Sequence, residues 1–182
     1  MTKLRFQKAG GFFLLAMLFG LPLQAQKHGG LTTVILVRHA EKDTNGTNPP
    51  LTERGLERAR ALDRELGDTR VSAVYVTQYL RTQQTAHVVA VHDSAEPKVF
   101  DVNLSKPRQS GEAVAKDILR NCRGGTILVA NHSNVIPFII DALGGGWIGN
   151  LDERSYDNLF IVVRRSSGEV RLLRMKYGAP SN

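Results

Sequence analysis

Short runs of branched apolar residues alternate along this chain with stretches of helical spacing, and that alternation leaves few folds open. Leu31 to Val37, Val71 to Val76 and Thr126 to Ala130 are compact, rich in Val and Ile, and too short for buried helices, so they read as buried strands. Between the first two, Thr52 caps a helix in which Leu56, Ala59, Leu62 and Leu66 share one face and Gly67 ends it. A second helix is expected from about Tyr79 to Val91, with a short strand near Val99. Ser110 is expected to cap a third, with Val114, Ile118 and Leu119 inward, and Val135 to Leu143 forms a fourth, stopped by three glycines. Leu159 to Arg164 and Val170 to Met175 pair as a hairpin around Ser166-Ser167-Gly168. The result is an α/β fold: a three-layer sandwich with a mainly parallel central sheet, helices on both faces and an antiparallel addition at the end.

What the strands run into matters more than the strands. Three of them end, at their carboxyl ends, in Arg38-His39, in Thr77 followed by Arg81, and in Asn131-His132. Ligands of open α/β sheets bind outside those ends, so two arginines and two histidines are expected in one crevice. Guanidinium is a planar fork of donors that grips phosphate oxygens and keeps its charge. Neutral imidazole is a nucleophile toward phosphorus, and nearby guanidinium groups hold it neutral. The second histidine can donate to phosphoryl oxygens as charge develops.

At these residues the chain resembles the histidine phosphatase (phosphoglycerate mutase-like) superfamily. Arg38-His39-Ala40-Glu41 with Asn45 looks like its Arg-His-Gly-Glu…Asn signature, and Leu51-Thr52-Glu53-Arg54-Gly55 is similar to the segment leading into its first helix. Val74-Tyr75-Val76-Thr77, Arg81 and Gln84-Thr85-Ala86 resemble a third block, and Leu128 to Asn134 the block of the second histidine. The blocks stand in the family's order from about Leu31 to Gly178. The resemblance implies a phosphoglycerate mutase-like fold, His39 as the residue that becomes phosphorylated, and Arg38, Arg81 and His132 as the phosphate pocket. It implies Asn45 as a neighbour that positions the transferred group, and neither a metal nor an organic cofactor. Ala40 and Asn131 stand where the family usually has glycine. The acid that protonates the leaving oxygen has no recognisable motif; Glu41, Asp101 and Glu112 are the candidates.

The first 25 residues are set apart from the fold. Lys3, Arg5 and Lys8 precede the uncharged apolar run Ala9 to Phe19, then Leu21-Pro22-Leu23-Gln24-Ala25, the succession of a secretory signal peptide cleaved after Ala25. Residues 26–182 then form a single domain in an exported, periplasmic or secreted protein without stable membrane insertion. Losing the leader's three positive charges lowers the formal net charge from +7 to +4. The other basic residues are scattered: Arg54, Arg58, Arg60 and Arg64 on one helix read mostly as solvated, and Arg164, Arg165, Arg171 and Arg174 lie near the end. No basic face with interleaved aromatics points to nucleic acid. Cys122 is the only cysteine, which excludes an internal disulfide, and it reads as a helix-end filler. His28, His87 and His92 stand apart from the cluster, and no histidines have metal-ligand spacing with a carboxylate partner. Trp147, after the three glycines, reads as a packing residue of a loop. The expected activity is hydrolysis of a small phosphorylated substrate or phosphoprotein; the alternatives are a phosphomutase and a non-catalytic phosphate-binding module.

Overall fold

The computed structural model describes residues 30–181; the leader, its cleavage point and His28 lie outside the described residues. Ten elements follow in order: β1 (Thr32–Arg38), α1 (Glu53–Leu66), β2 (Ala73–Val76), α2 (Leu80–His92), β3 (Pro97–Val99), α3 (Pro107–Asn121), β4 (Thr126–Asn131), α4 (Ile136–Ala142), β5 (Asn158–Arg164) and β6 (Val170–Lys176). The strands form one sheet in the order β3-β2-β4-β1-β5-β6. The first four are parallel, and β5 and β6 add antiparallel to the edge of β1. This is the expected α/β sandwich.

Alternation along the strands sorts the core onto the two faces. Val34 and Leu36 of β1, with Ile127 and Val129 of β4, pack against Val114 and Ile118 of α3 and Ile136, Ile139 and Ile140 of α4. Ile35 and Val37, with Leu128, Ala130, Val74 and Val76, pack against Leu62 of α1 and Ala86 and Val89 of α2. Leu36 is fully buried; truncating such a residue to alanine costs about 2–5 kcal/mol.

The chain leaves β1 toward the α1/α2 face and leaves β4 toward the α3/α4 face, although β1 and β4 are neighbours. Backbone that departs to opposite sides opens a crevice between the two carboxyl ends, the usual binding place of such sheets.

Two local expectations change. Thr52 does cap α1, its hydroxyl accepting from the Gly55 amide at 3.2 Å. Ser110 does not cap α3: the helix begins at Pro107, whose ring favours the first helical position. Ser110 lies inside the first turn and ties the preceding loop down, its hydroxyl accepting from Asn103 N at 2.9 Å and donating to Asn103 O at 3.1 Å. Arg58 is not solvated either. It is buried in α1 and holds Glu41 through three contacts of 2.8–3.1 Å. Among the described residues no helix is long and apolar enough to cross a membrane.

Candidate active site

Arg38 closes β1, and the His39 amide extends the ladder one residue further by donating to Asn131 O at 2.8 Å. The next amide, Ala40 N, donates to Thr85 Oγ1 at 2.9 Å, and that hydroxyl donates to Arg81 O at 2.7 Å. Thr85 thus fastens the backbone beside His39 to the turn of α2 that carries Arg81. The Gln84 side chain accepts from Leu51 N at 2.7 Å and holds the returning loop. The polar residues around Arg81 are therefore braces, a role their spacing in sequence does not disclose.

The four residues expected in the crevice meet there. His39 and His132 are each 3% exposed, Arg38 6% and Arg81 7%. The two imidazole rings lie 5.4 Å apart, edge to face. Arg81 Nη2 stands 3.5 Å from His132 Nδ1.

The hydrogen bonds fix the tautomers. His39 Nδ1 lies 2.8 Å from Ala40 O; a carbonyl only accepts, so Nδ1 carries the proton and Nε2 keeps its lone pair. For His132 the proton follows from a chain of hydroxyls. Thr82 donates to Tyr79 O at 2.8 Å, so it accepts from Thr77 Oγ1 at 2.9 Å, and Thr77 in turn accepts from His132 Nε2 at 3.2 Å. His132 therefore holds its proton on Nε2 and offers Nδ1 to Arg81. Burial first, then the surrounding guanidinium charge, holds His39 down to about 3; a backbone acceptor at Ala40 works the other way. Burial, the neighbouring His39 and both arginines lower His132 to about 2. Both rings are neutral at ordinary pH.

Each guanidinium is stacked on a tyrosine: Arg38 lies 4.1 Å from the Tyr156 ring centre and Arg81 4.2 Å from that of Tyr79. Arg38 Nη1 also donates to Glu153 O. The Nε atoms of both arginines are buried and have no hydrogen-bond partner among the described residues. Buried cationic donors left unpaired are what a bound oxyanion would satisfy. Burial lowers the proton affinity of both guanidinium groups, but from so high a value that they stay charged.

The remaining candidates lie elsewhere. Asn45 is exposed, and its amide donates to Asp43 Oδ1 at 3.2 Å, so the structure does not bring it to the cluster. Both carboxylate oxygens of Glu41 accept from Arg58, and Oε1 also meets Arg54 at 3.2 Å. Glu112 is exposed and pairs with Arg108 along α3 at 3.6 Å. Asp101 is exposed at the carboxyl edge of the sheet, beside Val102, whose backbone is clasped by the Gln78 side chain at 2.8 and 3.0 Å. Asn131 accepts from His132 N at 2.9 Å through Oδ1. Trp147 packs on Phe138 with ring centres 4.9 Å apart. Among the described residues no three His, Cys, Asp or Glu side chains are grouped as a metal ion requires. The tyrosines and the Thr77–Thr82 relay escaped sequence reasoning: Tyr156 reaches Arg38 from a distant loop, while Tyr79, Thr77 and Thr82 lie close to Arg81 but carry no spacing signal of their own.

Comparison with known proteins agrees with this architecture. The sequence model of the histidine phosphatase superfamily (branch 1) matches residues 34–105. No curated protein matches the chain significantly in sequence. YhfR of Bacillus stearothermophilus superposes with a TM-score of 0.60 at 18% identity, covering 78% of this chain and 95% of its own. A mycobacterial glucosyl-3-phosphoglycerate phosphatase gives 0.56 at 13% identity, covering 82% and 99%. Phosphoglycerate mutase of Plasmodium falciparum gives 0.54 at 20% identity, covering 84% and 94%. These identities speak for the fold and not for a substrate. The sequence pattern of that superfamily is matched across β1 to β3, and the fold of these solved structures continues through β4 to the end of the sheet, so the chain is similar to histidine phosphatases in sequence over residues 34–105 and in fold over most of its length.

Proposed function

We propose that the protein is a phosphatase that hydrolyses a phosphomonoester or phosphoramidate through a phosphohistidine on His39 Nε2. The observation that carries this reading is the tautomer of His39. Its proton is committed to Ala40 O, which leaves the Nε2 lone pair unprotonated beside two arginines with unpaired donors. A ring held near 3 has its nucleophilic form fully populated at neutral pH. A phosphate-binding module would need the arginines and gain nothing from that commitment.

In the proposed reaction the phosphoryl oxygens take the free donors of Arg38 and Arg81, and Nε2 attacks phosphorus in line with the leaving atom. The bond from Nε2 to phosphorus forms as the bond from phosphorus to the leaving atom breaks (oxygen in a phosphomonoester, nitrogen in a phosphoramidate), and that atom takes a proton. Water then attacks the phosphohistidine, releasing inorganic phosphate and restoring Nε2. Transfer of this kind depends chiefly on positioning and on charge aimed at the equatorial oxygens. Arg81, released from His132 Nδ1, gives the anion one more donor, and the vacated Nδ1 takes up a proton more readily beside a dianion. Of the three acid candidates, Glu41 and Glu112 are engaged in ion pairs, so Asp101 at the carboxyl edge is our assignment for the proton donor. The two guanidinium groups supply the charge that metal ions supply in other phosphatases, so the reaction is expected to proceed in excess chelator.

Rapid quench with labelled substrate tests the mechanism. The wild type should trap an acid-labile, base-stable phosphoenzyme and His39→Ala none, while His39→Ala still binds inorganic phosphate. Full turnover by His39→Ala would falsify the nucleophile assignment. The leader pattern adds the proposal that this chemistry takes place outside the cytoplasm.

A further inference from the structure

We infer that the carboxyl-terminal tail is a strap that positions Arg38, with Ser181 as the positioning residue. The inference rests on the phosphate-binding role proposed for Arg38. Beyond β6 the chain crosses α1 and is held there from both sides. Arg58 Nη1 donates to Tyr177 O at 3.1 Å and to Ala179 O at 2.9 Å, and Arg54 Nη2 donates to Pro180 O at 3.0 Å. The same two arginines hold Glu41, two residues beyond His39. At the end of this run the Ser181 hydroxyl accepts from the Tyr156 amide at 2.8 Å and from the Asp157 amide at 3.1 Å. The Ser181 amide returns the contact, donating to Asp157 Oδ2 at 3.2 Å, while Lys176 Nζ holds Oδ1 at 2.8 Å.

Tyr156 is the ring on which the Arg38 guanidinium is stacked, and its centre lies 6.2 Å from that of His39. A stacked guanidinium keeps its plane only while the ring beneath keeps its own. The Tyr156 backbone belongs to no strand. Its amide is held by one hydroxyl, that of Ser181. One contact near the carboxyl terminus thus sets the tilt of the fork that is to grip the phosphoryl group, and the arginines that anchor the tail also anchor the segment following His39.

Titration calorimetry with inorganic phosphate on the full-length chain tests this without turnover. Ser181→Ala should weaken phosphate binding about threefold to tenfold, the loss expected when a hydrogen bond is removed. Ser181→Thr, which keeps the hydroxyl, should restore it. In an Arg38→Ala background Ser181→Ala should cause no further loss, because the strap acts through Arg38. Thermal denaturation of each variant identifies a general loss of folding, which would weaken the Arg38→Ala protein equally. Unchanged affinity in Ser181→Ala, or the same loss with and without Arg38, overturns the strap and leaves the functional reading intact. A wild type that binds no phosphate overturns both.

Discussion

Lowering the pH should unfold this protein through its two site histidines, well before its carboxylates matter. An exposed imidazole titrates near 6.5, while burial and guanidinium charge hold His39 near 3 and His132 near 2 in the folded chain. The unfolded chain therefore binds protons that the folded chain refuses. Stability is intact above about pH 6.5 and falls steadily as pH drops toward the folded values. Between about pH 7.5 and 5, each histidine should remove about 2 kcal/mol, about 4 for the pair. That is a large part of the 5–15 kcal/mol typical of a domain. Asp117 and Asp157 are held below their ordinary 3.8, so their contribution is lost only at more acid pH. Urea denaturation across this window measures the slope. His132→Gln should roughly halve it, whatever that variant does to the absolute stability. Saturating phosphate should flatten it, because an anion between the arginines lets the rings accept protons. A stability that is level or rises on acidification would refute the assignment of two buried neutral imidazoles.

Other perturbations give separate tests. Arg81→Ala removes a charge-assisted fork with an unpaired donor and should weaken phosphate binding by about 1.5–3 kcal/mol, roughly tenfold to a hundredfold by calorimetry. Gly55→Ala should destabilise the protein despite alanine's better helix propensity, worth about 1 kcal/mol. An added Cβ would stand 2.2 Å from Glu41 O, an overlap whose relief costs about 1–3 kcal/mol and shifts the segment next to His39, so kcat should fall together with the denaturation midpoint. Excess chelator should leave turnover unchanged and vanadate should block it; activity restored only by a divalent ion would count against the two-arginine site. Protein recovered from its native host should begin at Gln26 outside the cytoplasm, as N-terminal sequencing would show.

Features that depend on neighbours in sequence were legible. The apolar runs gave the strands, the Thr52 cap and Gly67 gave the limits of α1, and the polar residues that end β1 and β4 placed the crevice. Features that depend on distant chain were not. Ser110 has the chemistry of a cap, but Pro107 starts the helix three residues earlier. Arg58 falls on α1 among charged neighbours, and only the returning tail makes its position buried. Tyr156 lies in a loop with no periodicity, so nothing local announces the ring beneath Arg38. Asn45 came from resemblance alone, and the chain around it turns to Asp43 instead.

The neighbouring positions of β1 and β4 also govern how the site comes into being. Thr33 pairs with Thr126 and Arg38 with Asn131, so a loop holding three helices and two other strands must close before His39 and His132 face each other. Such non-local pairing is slow to form, and its loop-closure entropy is met only when the whole sheet assembles. Residues 34–105 carry the family's sequence pattern together with Arg38, His39 and Arg81, but they lack β4 and His132. A nascent chain that has emerged only that far holds its nucleophile without the strand that pins it. Activity should thus arrive in one step, late in folding, and disappear on heating at the same temperature as the sheet itself.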